Sequence, residues 1–213
     1  MSRVRVKICG LTNCEDTLSA VALGADALGF NLYPGSRRFI ELEREAAWIA
    51  ALPPFVTRVA VLVNVPLDEA LRVAAHPAID LVQFHGDEDE EYCARFAESG
   101  HPFIKALRLR DAAAIDGAHR FATPHLLLDA HAGAAFGGTG TLIDIGLAGE
   151  FVRRQPSLHV ILAGGMKPGN VAQAVRAVRP FAVDVASGVE AEPRRKSPEL
   201  MGAFIDAVPG REK

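Results

Sequence analysis

Eight short apolar runs alternate without a break with amphipathic stretches from one end of the chain to the other. The runs are 4–9, 27–33, 58–63, 81–85, 103–107, 125–129, 160–163 and 182–187. Between them lie helical patterns over 14–23, 41–51, 67–75, 87–98, 146–153, 170–178 and 198–208, and a weaker one between Leu107 and His125. Runs this short and this rich in β-branched residues and leucine read as buried strands, and strict alternation with helices makes those strands parallel, joined by right-handed crossovers. Eight repeats of about 25 residues match a single (β/α)8 TIM barrel, an eight-stranded parallel α/β fold, over 1–213. A doubly wound open sheet needs no eighth strand and opens on a glycine-rich turn. The first turn here, Cys9-Gly10-Leu11-Thr12, is not that fingerprint. No linker or low-complexity segment divides the chain, so one domain is expected.

Composition narrows the function classes. With a formal net charge of −3 the chain has no electrostatic footprint for nucleic acid or an anionic membrane. No apolar stretch approaches the ~20 residues that span a bilayer. The start, Met1-Ser2-Arg3-Val4, leads straight into a strand rather than a secretory h-region, so a cytoplasmic protein is expected. The three cysteines form no disulfide framework and no zinc spacing, and Cys93, on a helical pattern, reads as packing. No metal and no coenzyme is expected.

In a barrel, chemistry gathers at the carboxyl ends of the strands. Cys9 closes the first strand and Asp129 the sixth, and a titratable side chain at the exit of a buried strand is poorly explained by packing. Together they form a candidate acid/base pair. Other strand exits carry Asn31 and Tyr33, Asn64, His85 and Arg108. The last two exits are glycine turns, Gly164-Gly165 and Ser187-Gly188. Bare backbone N–H groups after strands seven and eight of a barrel cradle phosphate, so a small phosphorylated substrate is expected.

These residues carry a resemblance. Lys7-Ile8-Cys9-Gly10-Leu11-Thr12, Gly24 to Phe30, Tyr33-Pro34-Gly35-Ser36-Arg37-Arg38-Phe39, Val82-Gln83-Phe84-His85-Gly86, Leu127-Leu128-Asp129, Gly137-Gly138-Thr139-Gly140, Ala163-Gly164-Gly165 and Val183 to Glu190 resemble, in order and over essentially the whole chain, the phosphoribosylanthranilate isomerases of tryptophan biosynthesis. The resemblance implies an Amadori rearrangement of a phosphosugar substrate, by a monomer or a homodimer. It casts Cys9 as general base, Asp129 as general acid and Arg38 as the holder of the anthranilate carboxylate. His85, Gly164, Gly165, Ser187 and Gly188 are the further substrate-binding candidates.

A general base must shed its proton, which nearby cations such as Lys7 or Arg38 favour in a thiol. A general acid must hold one, and desolvation favours the neutral carboxyl. Departures from the family pattern are Arg37, Gly169, Ser197, and Ile143 and Ile145 in place of aromatic residues. A related phosphosugar isomerase or epimerase would need paired carboxylates or metal-binding histidines at the strand ends, which this pattern lacks. A phosphate-binding barrel that has lost catalysis has no need of both Cys9 and Asp129.

Overall fold

The structure, a computed structural model, describes residues 3–111, 113–130 and 142–210. Its eight strands are β1 (Arg5–Cys9), β2 (Ala27–Asn31), β3 (Thr57–Leu62), β4 (Leu81–Phe84), β5 (Phe103–Leu109), β6 (His125–Ala130), β7 (His159–Leu162) and β8 (Ala182–Val185). Each pairs parallel with the next and β8 closes on β1, as the alternation requires. The helices are α1 (Cys14–Ala22), α2 (Leu42–Ala50), α3 (Leu67–Ala74), α4 (Glu90–Ala97), α5 (Ala113–Asp116), α6 (Ile145–Arg154), α7 (Pro168–Val178) and α8 (Pro198–Ala207).

Several helices begin where a side chain can take an orphan N–H of the first turn. Asn13 accepts from the Asp16 amide at 2.8 Å, Asp89 from Tyr92 at 2.8 Å, Asp144 from Leu147 at 3.0 Å and Ser197 from Leu200 at 3.1 Å. The acidic run from Asp87 is therefore not helical throughout. Glu88 is drawn inward to the buried Lys105 ammonium at 2.8 Å, and α4 starts only after the Asp89 cap. The weak pattern before β6 is a four-residue α5 followed by a 3-10 turn over Ala118–Phe121.

The barrel wall is packed on both sides. Alternate residues point outward beneath the helices, where Val6, Ile8, Leu28, Phe30, Leu126, Leu128, Leu162 and Val183 form the largest core cluster. The residues between them fill the interior. Val59, Ile104, Ala106, Leu127, Ile161, Ala163 and Ala182 make a separate apolar plug there. At the amino-terminal end of the strands it is closed by stacked rings: His125 on His159 at 5.1 Å between centroids, His159 on Phe181 at 4.4 Å, and the Arg5 guanidinium 4.2 Å from the Phe181 ring.

After β8 the chain makes a 3-10 turn (Ser187–Val189) and a small antiparallel hairpin, β9 (Glu190–Glu192) and β10 (Arg195–Lys196). The sequence pattern does not anticipate this hairpin. The Asp16 carboxylate, accepting from the Lys196 amide at 2.8 Å, and the Thr12 hydroxyl, donating to the Arg194 carbonyl at 2.9 Å, pin it beside β1 and α1.

Candidate active site

Cys9 ends β1 directly opposite Gly29 of β2. A Cβ at Gly29 would lie 2.6 Å from the Cys9 sulfur and 3.0 Å from its Cα, so only glycine there leaves room for the thiol. Two residues back on the same face of β1 stands Lys7, buried, whose register partner on β8 is Asp184. Its ammonium donates to Asp184 Oδ1 at 2.7 Å and to Gln83 Oε1, from β4, at 2.9 Å. Burial alone disfavours the charge on Lys7. Asp184, and behind it Cys9, more than offset that and hold the ammonium above the ordinary lysine range.

For Cys9 the balance runs the other way. Burial raises its thiol above the ordinary value and Asp184 adds to the rise, while Lys7 and, more weakly, Lys196 oppose it. The expected cations are thus at hand, yet they do not outweigh desolvation, and the Cys9 thiol is held above its ordinary value.

Asp129 ends the inward face of β6. Its Oδ1 accepts from the Ala130 amide at 2.8 Å and its Oδ2 lies 3.1 Å from His85 Nε2. His85 Nδ1 lies 2.8 Å from Gln83 Nε2, so both ring nitrogens have protein partners. A continuous line of contacts runs Asp184–Lys7–Gln83–His85–Asp129, from β8 through β1 and β4 to β6.

The two glycine turns meet. Gly164 and Gly165 have φ of 78° and 67°, the left-handed region in which glycine is unstrained. A Cβ on Gly164 would reach within 2.7 Å of the Ala130 nitrogen and 3.1 Å of Asp129 Oδ1. A Cβ on Gly188 would fall 1.9 Å from the Met166 carbonyl, so the Ser187-Gly188 turn presses directly on the β7–α7 loop. Asn170 in the first turn of α7 ties that loop down, accepting from the Lys167 amide at 2.8 Å and donating to the Gly165 carbonyl at 2.9 Å. Ile143 is buried, and its amide donates to the Gly164 carbonyl at 3.3 Å. The Gly137-Gly138-Thr139-Gly140 motif lies outside the described residues.

Of the arginine pair, Arg37 is exposed and Arg38 is half-buried, its Cδ over Gly10 beside Cys9. Arg38 donates through Nε to Glu190 Oε1 at 2.6 Å and through Nη2 to Oε2 at 2.7 Å. That bidentate grip uses one edge of the guanidinium and leaves the Nη1/Nη2 edge for a second carboxylate. Glu190 also accepts from Lys196 at 3.2 Å. Burial pushes the Glu190 carboxyl up, but Arg38 and Lys196 outweigh it and keep it below the ordinary glutamate range.

Sequence reasoning passed over Gln83, Asp184, Glu190 and Lys196. For the first two a signal existed: each is a lone polar residue between apolar neighbours, Val82-Gln83-Phe84 and Val183-Asp184-Val185, at an inward position of its strand. Glu190 and Lys196 depend on the hairpin, which has no such pattern. Cys93 is buried with Phe84, Phe96 and Phe103, as a packing residue. Among the described residues no cluster of three metal-ligating side chains occurs, and no helix is long and apolar enough to cross a membrane.

Comparison with known proteins gives a consistent outcome. Residues 6–207 match the family model described as N-(5'-phosphoribosyl)anthranilate isomerase. The proteins of that name from Chromohalobacter salexigens and Geobacter metallireducens are 47% and 45% identical to this chain, over 98% and 95% of it and 95% and 97% of their own lengths. Among solved structures, the phosphoribosylanthranilate isomerase of Thermotoga maritima superposes with a TM-score of 0.87 at 41% identity, over 97% of this chain and 99% of that one. A phosphoribosylanthranilate isomerase in complex with reduced 1-(o-carboxyphenylamino)-1-deoxyribulose 5-phosphate gives 0.84 at 40% identity, with the same coverage.

Proposed function

The chain belongs to the phosphoribosylanthranilate isomerase family of tryptophan biosynthesis, and from that membership we propose that it converts N-(5-phosphoribosyl)anthranilate to 1-(2-carboxyphenylamino)-1-deoxyribulose 5-phosphate with Cys9 as general base and Asp129 as general acid. The observation that carries the division of labour is that a thiol and a carboxyl close β1 and β6 at the same end of one closed barrel, each held by its own partners.

The reaction begins with a proton from Asp129 to the ring oxygen. The C1–O bond breaks and leaves an iminium between C1 and the anthranilate nitrogen. The carboxylate formed is met by the Ala130 N–H and by His85. The iminium acidifies the C2–H, and Cys9 takes that proton as the electron pair becomes the C1=C2 bond of an enolamine. Cys9 then gives its proton to C1 and the C2 hydroxyl gives one to the Asp129 carboxylate, so the ketone product carries the same atoms as the substrate and both side chains are restored. The nitrogen of the substrate is the electron sink, and side chains of this chain carry the proton transfers.

The raised thiol of Cys9 suits this order. The thiol is the wrong form for a base, but an iminium forming beside it supplies the positive charge that favours thiolate, the displaced proton passing to solvent at the barrel mouth before C2 is deprotonated. The base is thus drawn into its active form by the intermediate it must act on.

The substrate is held at both ends. The turns at Gly164-Gly165 and Ser187-Gly188, pressed together at the start of α7, offer backbone N–H groups to the 5-phosphate. The free edge of Arg38 takes the anthranilate carboxylate. The exposure of Arg37 favours Arg38 for that task. The oligomeric state is a monomer or a homodimer.

The test is loss of substrate fluorescence on adding the protein to freshly generated phosphoribosylanthranilate. Consumption that is competitively inhibited by inorganic phosphate supports the reading, and an intact signal with folded protein refutes it.

A further inference from the structure

We propose, on the reading of Asp129 as the acid, that Lys7 and Gln83 are positioning residues which lock His85 as a neutral imidazole with its proton on Nε2, a fixed hydrogen-bond donor to Asp129 and not a carrier of the reaction's protons. Which groups can donate fixes each orientation in turn. An ammonium has donors only, so the atom of Gln83 that lies 2.9 Å from Lys7 Nζ is its carbonyl oxygen. The amide is thereby turned with its NH2 toward His85, and Nε2 of Gln83 reaches His85 Nδ1 at 2.8 Å. An NH2 can only donate, so Nδ1 presents its lone pair. A neutral imidazole with a bare Nδ1 carries its hydrogen on Nε2, and Nε2 is the atom 3.1 Å from Asp129 Oδ2.

Reversing the chain would require Lys7 to accept. Asp184, 2.7 Å away and buried with it, keeps Lys7 an ammonium. The direction set at Asp184 is therefore transmitted through three side chains to the carboxyl on the far side of the barrel.

The lock has two chemical consequences. A proton on Nδ1 would set an N–H against the Gln83 N–H, so the hydrogen that His85 offers is the one on Nε2, facing Asp129. And the His85 N–H is aimed in advance at the oxygen that becomes negative when Asp129 gives up its proton, so no side chain has to turn as that charge appears.

The direct measurement is the 15N signature of the His85 ring in the intact wild-type protein at neutral pH, assigned by its disappearance in His85→Gln. We expect a protonated, pyrrole-type Nε2 and an unprotonated, pyridine-type Nδ1. A proton on Nδ1, alone or together with one on Nε2, overturns the inference.

Two variants test the functional half. Gln83→Glu is close to isosteric but replaces the NH2 facing Nδ1 with a carboxylate oxygen. His85 should then gain a proton on Nδ1, and kcat should fall roughly 10–100-fold, the range for lost outer-shell support, with KM little changed. His85→Gln supplies an amide N–H in the place of Nε2 but cannot ferry a proton. It should stay within about 10-fold of wild type, while His85→Leu, which offers Asp129 no donor, falls further, toward the ~100-fold upper end for lost outer-shell support. An unchanged kcat in Gln83→Glu, or a His85→Gln variant as inactive as His85→Leu, overturns the positioning role. The ring signature can be read with no substrate present, so its failure is separable from failure of the isomerase reading, which a wild type that leaves phosphoribosylanthranilate unconsumed would show.

Discussion

The two halves of the barrel interior solve burial in opposite ways. Toward the amino-terminal ends of the strands the space is filled by Val59, Ile104, Leu127, Ile161 and Ala182, which need no partners and give stability through packing alone. Toward the carboxyl ends the inward positions of β1, β4, β6 and β8 carry Lys7 and Cys9, Gln83, Asp129 and Asp184. Every polar group there must be satisfied by a named neighbour. The lower half holds the strands in register; the upper half uses that register to set charges and donors at fixed places. Changes below should therefore cost stability and spare chemistry per folded molecule, and changes above should do the reverse.

The largest effect is expected above. Cys9→Ala removes the proposed acceptor of the C2 proton and should lower turnover at least ~100-fold, the lower end for a lost general base, with a thermal midpoint close to wild type. Turnover near wild type would remove Cys9 from the mechanism. Below, Leu127→Ala opens a cavity in the plug and should cost about 2–5 kcal/mol in denaturant unfolding, while kcat per folded molecule stays within a few-fold. A Leu127→Ala protein that is stable but inactive would break the division between the halves.

At the rim, Arg38→Ala should weaken substrate binding by about 1.5–3 kcal/mol, the scale of a charge-assisted hydrogen bond. It should abolish the preference for anthranilate over an aniline analogue and leave phosphate inhibition as it was. If the preference survives, Arg37 is the next residue to test.

The smallest effect concerns the floor. Burial first, and His159 second, hold the His125 imidazole below its ordinary value of 6.5, and the two rings meet Nδ1 to Nδ1 at 3.2 Å. A histidine depressed in the folded state binds protons more readily when unfolded, so its contribution is present above pH 6.5 and declines as the pH falls below it. The stability of wild type should therefore fall more steeply between pH 6.5 and 5 than that of His125→Leu. Parallel curves would show that the stack is insensitive to protonation.

The same contrast explains how much could be read in the sequence. The strands were legible because β-branched and leucine runs between helical patterns have few other folds open to them, and the observed strands depart from the expected runs only at their ends. Of the candidate site, only strand-exit positions were legible, as at Cys9 and Asp129, where a chemically conspicuous residue ends a strand. Lys7–Asp184 depends on which residue of β8 lies beside β1, and Gly29 on which residue of β2 lies beside Cys9. Register of that kind is settled by closure of the whole barrel, not by any local stretch. The Glu190–Lys196 hairpin was invisible because its residues are charged and unpatterned, and it is held by Asp16 and Thr12 from the other end of the chain.

The central claim is that acid and base work are divided between Asp129 and Cys9 across the barrel mouth. It is tested most directly by rapid-mixing spectroscopy of Asp129→Asn and Cys9→Ala with phosphoribosylanthranilate. Without the acid the ring should stay closed, and Asp129→Asn should hold unreacted substrate with its fluorescence intact. Without the base the ring can open but C2 keeps its proton, so Cys9→Ala should accumulate an open-chain iminium that returns phosphoribosylanthranilate or hydrolyses when quenched. Accumulation of the open-chain species in Asp129→Asn instead, or brisk product formation by either variant, would contradict the assignment.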